Sequence, residues 1–149
     1  METTNFLAWV LLIGGVGTFG LWVMLWAYRG SGSRAVVFGD PIDLPPPTVE
    51  TEEYETLKAG LVRFREGAFS QAIAQFSKAI LLDTQFAEAY HNQGLTQANL
   101  RQDGDAVRSL VKAGELYLEQ GNPAGYERVK ADLQQLKSAR STESSPKSS

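Results

Sequence analysis

Side chains capable of chemistry are sparse in this chain of 149 residues. It carries one histidine, His91, and no cysteine. A disulfide scaffold, a cysteine nucleophile and a thiolate metal site are therefore all closed to it, as is any metal site built on two or three imidazoles. His91 stands beside Glu88 and Asn92 in EAYHNQG. A Ser-His-Asp triad needs a mutual geometry that residues scattered along one helix do not supply, so the expectation is an exposed or groove-lining histidine. The run Gly14-Gly15-Val16-Gly17 has the glycine density of a phosphate loop but lies inside an apolar stretch, where no nucleotide would sit. No catalytic residue, metal ligand or cofactor is assigned, and an enzyme is not the expected function. With 14 basic against 17 acidic side chains and a formal charge of −3, there is no basic stripe for nucleic acid or anionic lipid.

The apolar stretch runs from Phe6 to Tyr28, FLAWVLLIGGVGTFGLWVMLWAY, without a charged residue. As a helix it would reach roughly 35 Å, enough to cross a hydrocarbon core of about 30 Å. A cleaved secretory signal would begin with basic residues and have a shorter apolar segment. Here Met1-Glu2-Thr3-Thr4-Asn5 precedes the run and Arg29 follows it, which favours a retained transmembrane anchor. Trp9 near one end and Trp22, Trp26 and Tyr28 near the other fit the headgroup levels. Arg29 and Arg34 both follow the anchor; the positive-inside tendency then places the rest of the chain on the cytoplasmic or stromal side. Gly14, Gly17, Thr18 and Leu21 share one side of the helix, a small-residue strip suited to packing against a second membrane helix.

Residues 29–52, RGSGSRAVVFGDPIDLPPPTVETE, change character: a Gly/Ser hinge leads to Asp40-Pro41 and the run Pro45-Pro46-Pro47. Proline fixes its own φ and keeps its predecessor out of the helical region, so this stretch is expected to be an extended tether of up to about 80 Å. Ala35-Val36-Val37-Phe38, Ile42 and Leu44 are unusually apolar for a spacer. They either pack on the domain or a partner, or are incidental in a weakly ordered linker; the linker is the expectation.

From Glu53 the apolar pattern is helical, and it repeats. Gly60 recurs as Gly94, Ala72 as Ala106, Phe76 as Leu110 and Ala79 as Ala113, each pair 34 residues apart. A fixed period of that length means stacked helical hairpins, and 34 is the tetratricopeptide (TPR) period. Residues 53–120 resemble that family at Gly60, Gly67, Ala72, Phe76 and Ala79 in one unit, and at Tyr90, Gly94, Ala106, Leu110 and Ala113 in the next. Departures are Arg63 and Gln97 at an aromatic position and Thr84 in place of a terminal proline. The predicted domain spans residues 53–139, with units 53–86 and 87–120. Helix A and helix B of each unit fall at about 53–66 and 70–83, then 86–101 and 105–120. Gly67 is placed at the first turn, and Gly104 with Asp103 and Asp105 at the second. Asn122 and Pro123 are the N-cap and first position of a solvating capping helix, 123–139, whose Tyr126, Val129, Leu133 and Leu136 face inward. The tail 140–149 is too polar to bury anything and is expected to be disordered.

The fold class expected is therefore all-α: one N-terminal transmembrane helix and a short TPR α-solenoid. The resemblance implies a groove lined by the A helices, here Tyr54, Leu57, Lys58, Leu61, Phe64 and Arg65, then Glu88, His91, Asn92, Leu95 and Asn99. Such a wall suits a peptide or helix with an apolar face and a few polar anchors. Of the clamp with which some TPR domains hold acidic chaperone tails, only Asn92 has a counterpart; Leu57 and Leu61 stand where a Lys and an Asn belong. An alternative for these two leucines is burial under the tether or against neighbouring helices. The layout of anchor, Pro-rich tether and short capped array resembles the small membrane-anchored TPR assembly factors for photosystem I in cyanobacterial and plastid thylakoids. That implies an interaction scaffold whose partners are subunits of a membrane complex or their peptides. A targeting-peptide receptor of a translocation system and a permanent accessory subunit are the alternatives.

Overall fold

The computed structural model describes residues 35–44 and 51–144. Within them the chain is all-helical, with five α-helices and no strand: α1 Glu52–Arg65, α2 Phe69–Leu82, α3 Ala87–Asn99, α4 Asp103–Glu119 and α5 Pro123–Ser144. Each helix packs on the next, and α3 also touches α1 and α5. The result is two layers, α1, α3 and α5 on one side and α2 and α4 on the other. Among the described residues no helix is long and apolar enough to cross a membrane; the apolar run 6–28 lies outside them.

The residues that recur after 34 positions are those that let the layers approach. Ala72, Phe76, Ala79, Ala106, Leu110 and Ala113 are all fully buried. A Cβ at Gly60 would stand 2.6 Å from Phe76 Cδ1, and one at Gly94 would stand 2.7 Å from Leu110 Cγ. Only a bare Cα fits there, so each glycine and its large partner act as one packing unit across the A–B crossing. Gly125 of α5 stands in the same relation to the Tyr117 ring, 2.7 Å from its Cγ.

Three helices end in one way. Ala68 N–H donates to Arg63 O, Gln102 N–H to Gln97 O and Asn122 N–H to Tyr117 O, at 2.9, 2.9 and 2.7 Å. These six-to-one bonds belong to Schellman caps, whose C′ residue must be left-handed. Those residues are Gly67 (φ 72°), Arg101 (φ 65°) and Gly121 (φ 67°). The second turn is thus not made by Gly104, as its neighbours Asp103 and Asp105 had led us to expect; Gly104 lies inside α4. Arg101, one period after Gly67, takes the strained position.

Asn122 caps α5 through Oδ1, which accepts from Gly125 N–H at 2.9 Å. The helix does not stop at residue 139 but continues to Ser144, because the polar tail finds partners. Arg140 donates from Nε and Nη2 to both Asp103 oxygens at 2.8 Å and from Nη2 to Ala98 O at 2.7 Å, and Arg101 pairs with Glu143. A hollow of about 320 Å³ opens between α4 and α5, lined by Val111, Gly114, Leu118, Tyr126, Val129 and Leu133, with Glu115 and Lys130 beside it.

Candidate protein-binding face

The tether expected over 29–52 is not a free spacer where it is described. Residues 35–44 lie against the helices as a non-helical strap, and Phe38, 5% exposed, joins the core that contains Leu57, Leu61, Phe64 and Leu95. Pro41 is buried too, while Val37, Ile42 and Leu44 are half-buried. The reason is main-chain bonding. Asn99 Oδ1 accepts from Val37 N–H and Phe38 N–H at 2.9 Å each, and its Nδ2 donates to Phe38 O at 2.8 Å. Asn92 Oδ1 accepts from Ile42 N–H at 2.7 Å, and its Nδ2 donates to Ile42 O at 3.1 Å and to Glu88 O at 3.0 Å. Gln135 of α5 donates to Val37 O at 2.7 Å, and Arg65 of α1 pairs with Asp43.

Helix geometry sets the register. Asn92 and Asn99 are two turns apart on one side of α3, about 10 Å along its axis. The residues they hold, Ile42 and Phe38, are four apart in a strap that runs opposite to α3 and bends at Gly39 and Asp40. A carboxamide carries both donor and acceptor, so Asn92 grips the N–H and the C=O of Ile42, and Asn99 those of Phe38 together with the N–H of Val37. Such contacts recognise main chain rather than side chains.

The structure divides the residues assigned to the groove. Leu57, Leu61, Phe64 and Leu95 are core. Asn92 and Asn99 hold the strap, and Arg65 borders it. Lys58 is exposed and pairs with Glu55 at 3.3 Å, Tyr54 is half-buried, and Glu88 contributes its main-chain oxygen. His91 is the clear departure. It is fully buried, with Nε2 2.7 Å from Asp132 Oδ2 and Nδ1 3.4 Å from the Tyr117 hydroxyl. These three side chains knit α3, α4 and α5 together. Burial pushes the Tyr117 phenol well above its ordinary ionisation range, with Glu88 adding to the shift. A histidine bonded to a carboxylate has the form of a catalytic pair, but this ring is sealed from any substrate and serves to fasten the cap. At the other end of the cap, the Arg140 hydrogen bond holds the Asp103 carboxyl below the usual range, and Asp103 raises the Arg140 guanidinium in return.

For Phe38 and Ile42 the sequence offered packing on the domain or a partner as the alternative to a linker; it placed no function on Pro41 or Gln135, nor a packing role on Asp132. The available signal was the seven-residue spacing of Asn92 and Asn99, which puts two carboxamides on one helix side. Gly14, Gly17, Thr18 and Leu21, assigned to membrane-helix packing, lie outside the described residues. No family model, no curated protein and no solved structure matches the chain.

Proposed function

We propose that this chain is a membrane-anchored TPR-type interaction scaffold that assists the assembly or stability of a membrane protein complex, with the layer of α1, α3 and α5 as its contact face. One observation carries the reading: this face already holds a non-helical polypeptide segment through the carboxamides of Asn92 and Asn99, and protein segments are what such a surface can bind. The 34-residue recurrence of Gly60/Phe76 as Gly94/Leu110, each glycine required by its partner, supports the TPR-type architecture. The uncharged run 6–28 supports the anchor, with the helical domain on the cytoplasmic or stromal side. Photosystem I is the candidate complex that the layout favours.

The test is site-specific crosslinking in the native membrane. A photoreactive side chain at Lys58 or Gln135, both exposed, should capture subunits of one membrane complex after mild detergent extraction, identified by mass spectrometry. The same side chain at exposed Arg108 on α4 should not. Equal capture from both layers, or from neither, would remove the proposed contact face.

A further inference from the structure

We infer that the strap 35–44 is an internal occupant of the contact face, and that the partner which replaces it is a segment of another protein carrying the pattern Val-Phe-x-x-Pro-Ile-x-Leu, read as aliphatic, aromatic, two free positions, proline, aliphatic, one free position, aliphatic. This deepens the proposed scaffold function and rests on it.

Four observations lead there. First, most of the hold is on main chain. The bonds from Asn92, Asn99 and Gln135 all reach N–H or C=O groups of the strap, which any extended polypeptide can offer. Secondly, the side-chain readout is defined: Phe38 and Pro41 are buried and Val37, Ile42 and Leu44 half-buried against the core, whereas Gly39, Asp40 and Asp43 are exposed and Val36 is 53% exposed. That pattern defines the partner. Thirdly, the strap is outside the helical repeat. Residues 45–51, which begin with three prolines, separate it from α1, and among the described residues Phe38 is the one strap member of a buried core otherwise drawn from the helices. Fourthly, the wall beneath it is built of carboxamides. These satisfy the strap's buried main-chain groups while it is in place, and Asn92 and Asn99 can pair with water when it leaves.

A covalently attached occupant competes strongly. With an effective concentration of about 1 mM for the attached strap and an intrinsic strap Kd of about 10 µM, a segment of equal intrinsic affinity would bind the closed face roughly 100-fold more weakly than the open one. Binding would then require either a partner displayed locally at high concentration or one with a better sequence at the Phe38 and Pro41 positions.

The probe is a fluorescent decapeptide of the strap sequence, AVVFGDPIDL, added to the full chain in mild detergent and followed by anisotropy. Wild type should bind it weakly. Phe38→Asp, which expels the internal copy, should bind it at least about 10-fold more tightly, and Asn92→Leu with Asn99→Leu in that background should abolish binding while circular dichroism is unchanged. A decapeptide with its Phe and Pro exchanged for Asp should not bind. If Phe38→Asp folds and does not bind the probe, or unfolds, the strap is a fixed part of the core and the inference falls. A second preparation gives an independent reading: a protease site replacing Pro45–Pro47 is cut in the folded chain, and excess probe is added. Exchange of the nicked strap for the probe supports the inference; a strap retained over hours against a thousandfold excess overturns it. Probe binding with no crosslinked membrane subunit would sink the scaffold function alone, and crosslinked subunits without probe binding would sink the internal-occupant inference alone.

Discussion

The recurrence of Gly60 as Gly94 makes a prediction about sign as well as size. In mid-helix, replacing glycine by alanine normally stabilises by about 1 kcal/mol, because alanine has less backbone freedom to lose. At Gly60 the new Cβ would meet Phe76 Cδ1 at 2.6 Å and Cζ at 3.1 Å, and Phe76 is fully buried with nowhere to swing. Overpacking of this kind costs typically about 1–3 kcal/mol. Gly60→Ala should therefore destabilise by up to about 2 kcal/mol after the helical gain is deducted. Gly94→Ala should cost at least as much, since its Cβ meets the Ala106 main-chain oxygen at 3.1 Å as well as Leu110, and a backbone atom cannot rotate away. Gly104 is the internal control. It lies in α4 with nothing within 4 Å of an added Cβ, so Gly104→Ala should be neutral or stabilising, by up to about 1 kcal/mol. Urea titration of the full chain in mild detergent, followed by circular dichroism, gives the midpoint at constant m-value. Phe76→Leu should recover part of the Gly60→Ala loss and little in the Gly104→Ala background, which a double-mutant cycle measures. Equal effects at positions 60 and 104 would refute the idea that the repeat marks a close helix crossing.

Three further changes test other joints of the fold. Arg101→Gly relieves a left-handed φ of 65° and should raise stability by about 1 kcal/mol, reduced slightly by loss of the exposed pair with Glu143; an unchanged or lower urea midpoint would count against the shared Schellman cap. Asp132→Ala removes the partner of buried His91 and should lower stability by about 2–3 kcal/mol, whereas His91→Phe with Asp132→Leu should recover much of that loss; a melting temperature indifferent to both would mean that the pair does not fasten the cap. Because Arg140 depresses the Asp103 carboxyl below its ordinary 3.8, its contribution is complete above that pH and is lost as pH falls through the lower folded value. Asp103→Asn should accordingly be less stable than wild type at neutral pH and lose less stability below about pH 4; superimposable acid limbs would refute the coupling.

Much of the helical architecture was legible because its determinants are local or periodic. Glycine paired with a large residue at 34-residue spacing states where two helices cross, and Asn122 before Pro123 states where α5 begins. Positive φ was legible where glycine occupies the site, as at Gly67, and misread where it does not. The repeat period projects Gly67 onto position 101, yet an arginine there gives no compositional sign, and Gly104 drew the assignment instead. The end of α5 was misplaced for a related reason. Residues 140–144 are polar and read as tail, but Arg140 and Glu143 are stabilised by Asp103 and Arg101 across the fold, and a long-range pair leaves no trace in local composition.

The strap was the hardest element to see, and its physics explains why. A strand in a sheet or an amphipathic helix announces itself by a period, because its side chains must alternate or rotate between core and solvent. Residues 35–44 are held chiefly by their main chain, so Gly39, Asp40 and Pro41, which mark a turn or spacer by type, are as acceptable there as any β-former. What selects this face is written on the receiving helix, in Asn92 and Asn99 seven residues apart, whose carboxamides grip the N–H and C=O of Ile42 and Phe38. The same separation of roles underlies the binding inference. Because the helices supply the polar grip and the strap supplies Val37, Phe38, Pro41, Ile42 and Leu44 as its apolar anchors, a different polypeptide with those side chains in register would offer α3 the same main-chain groups to hold.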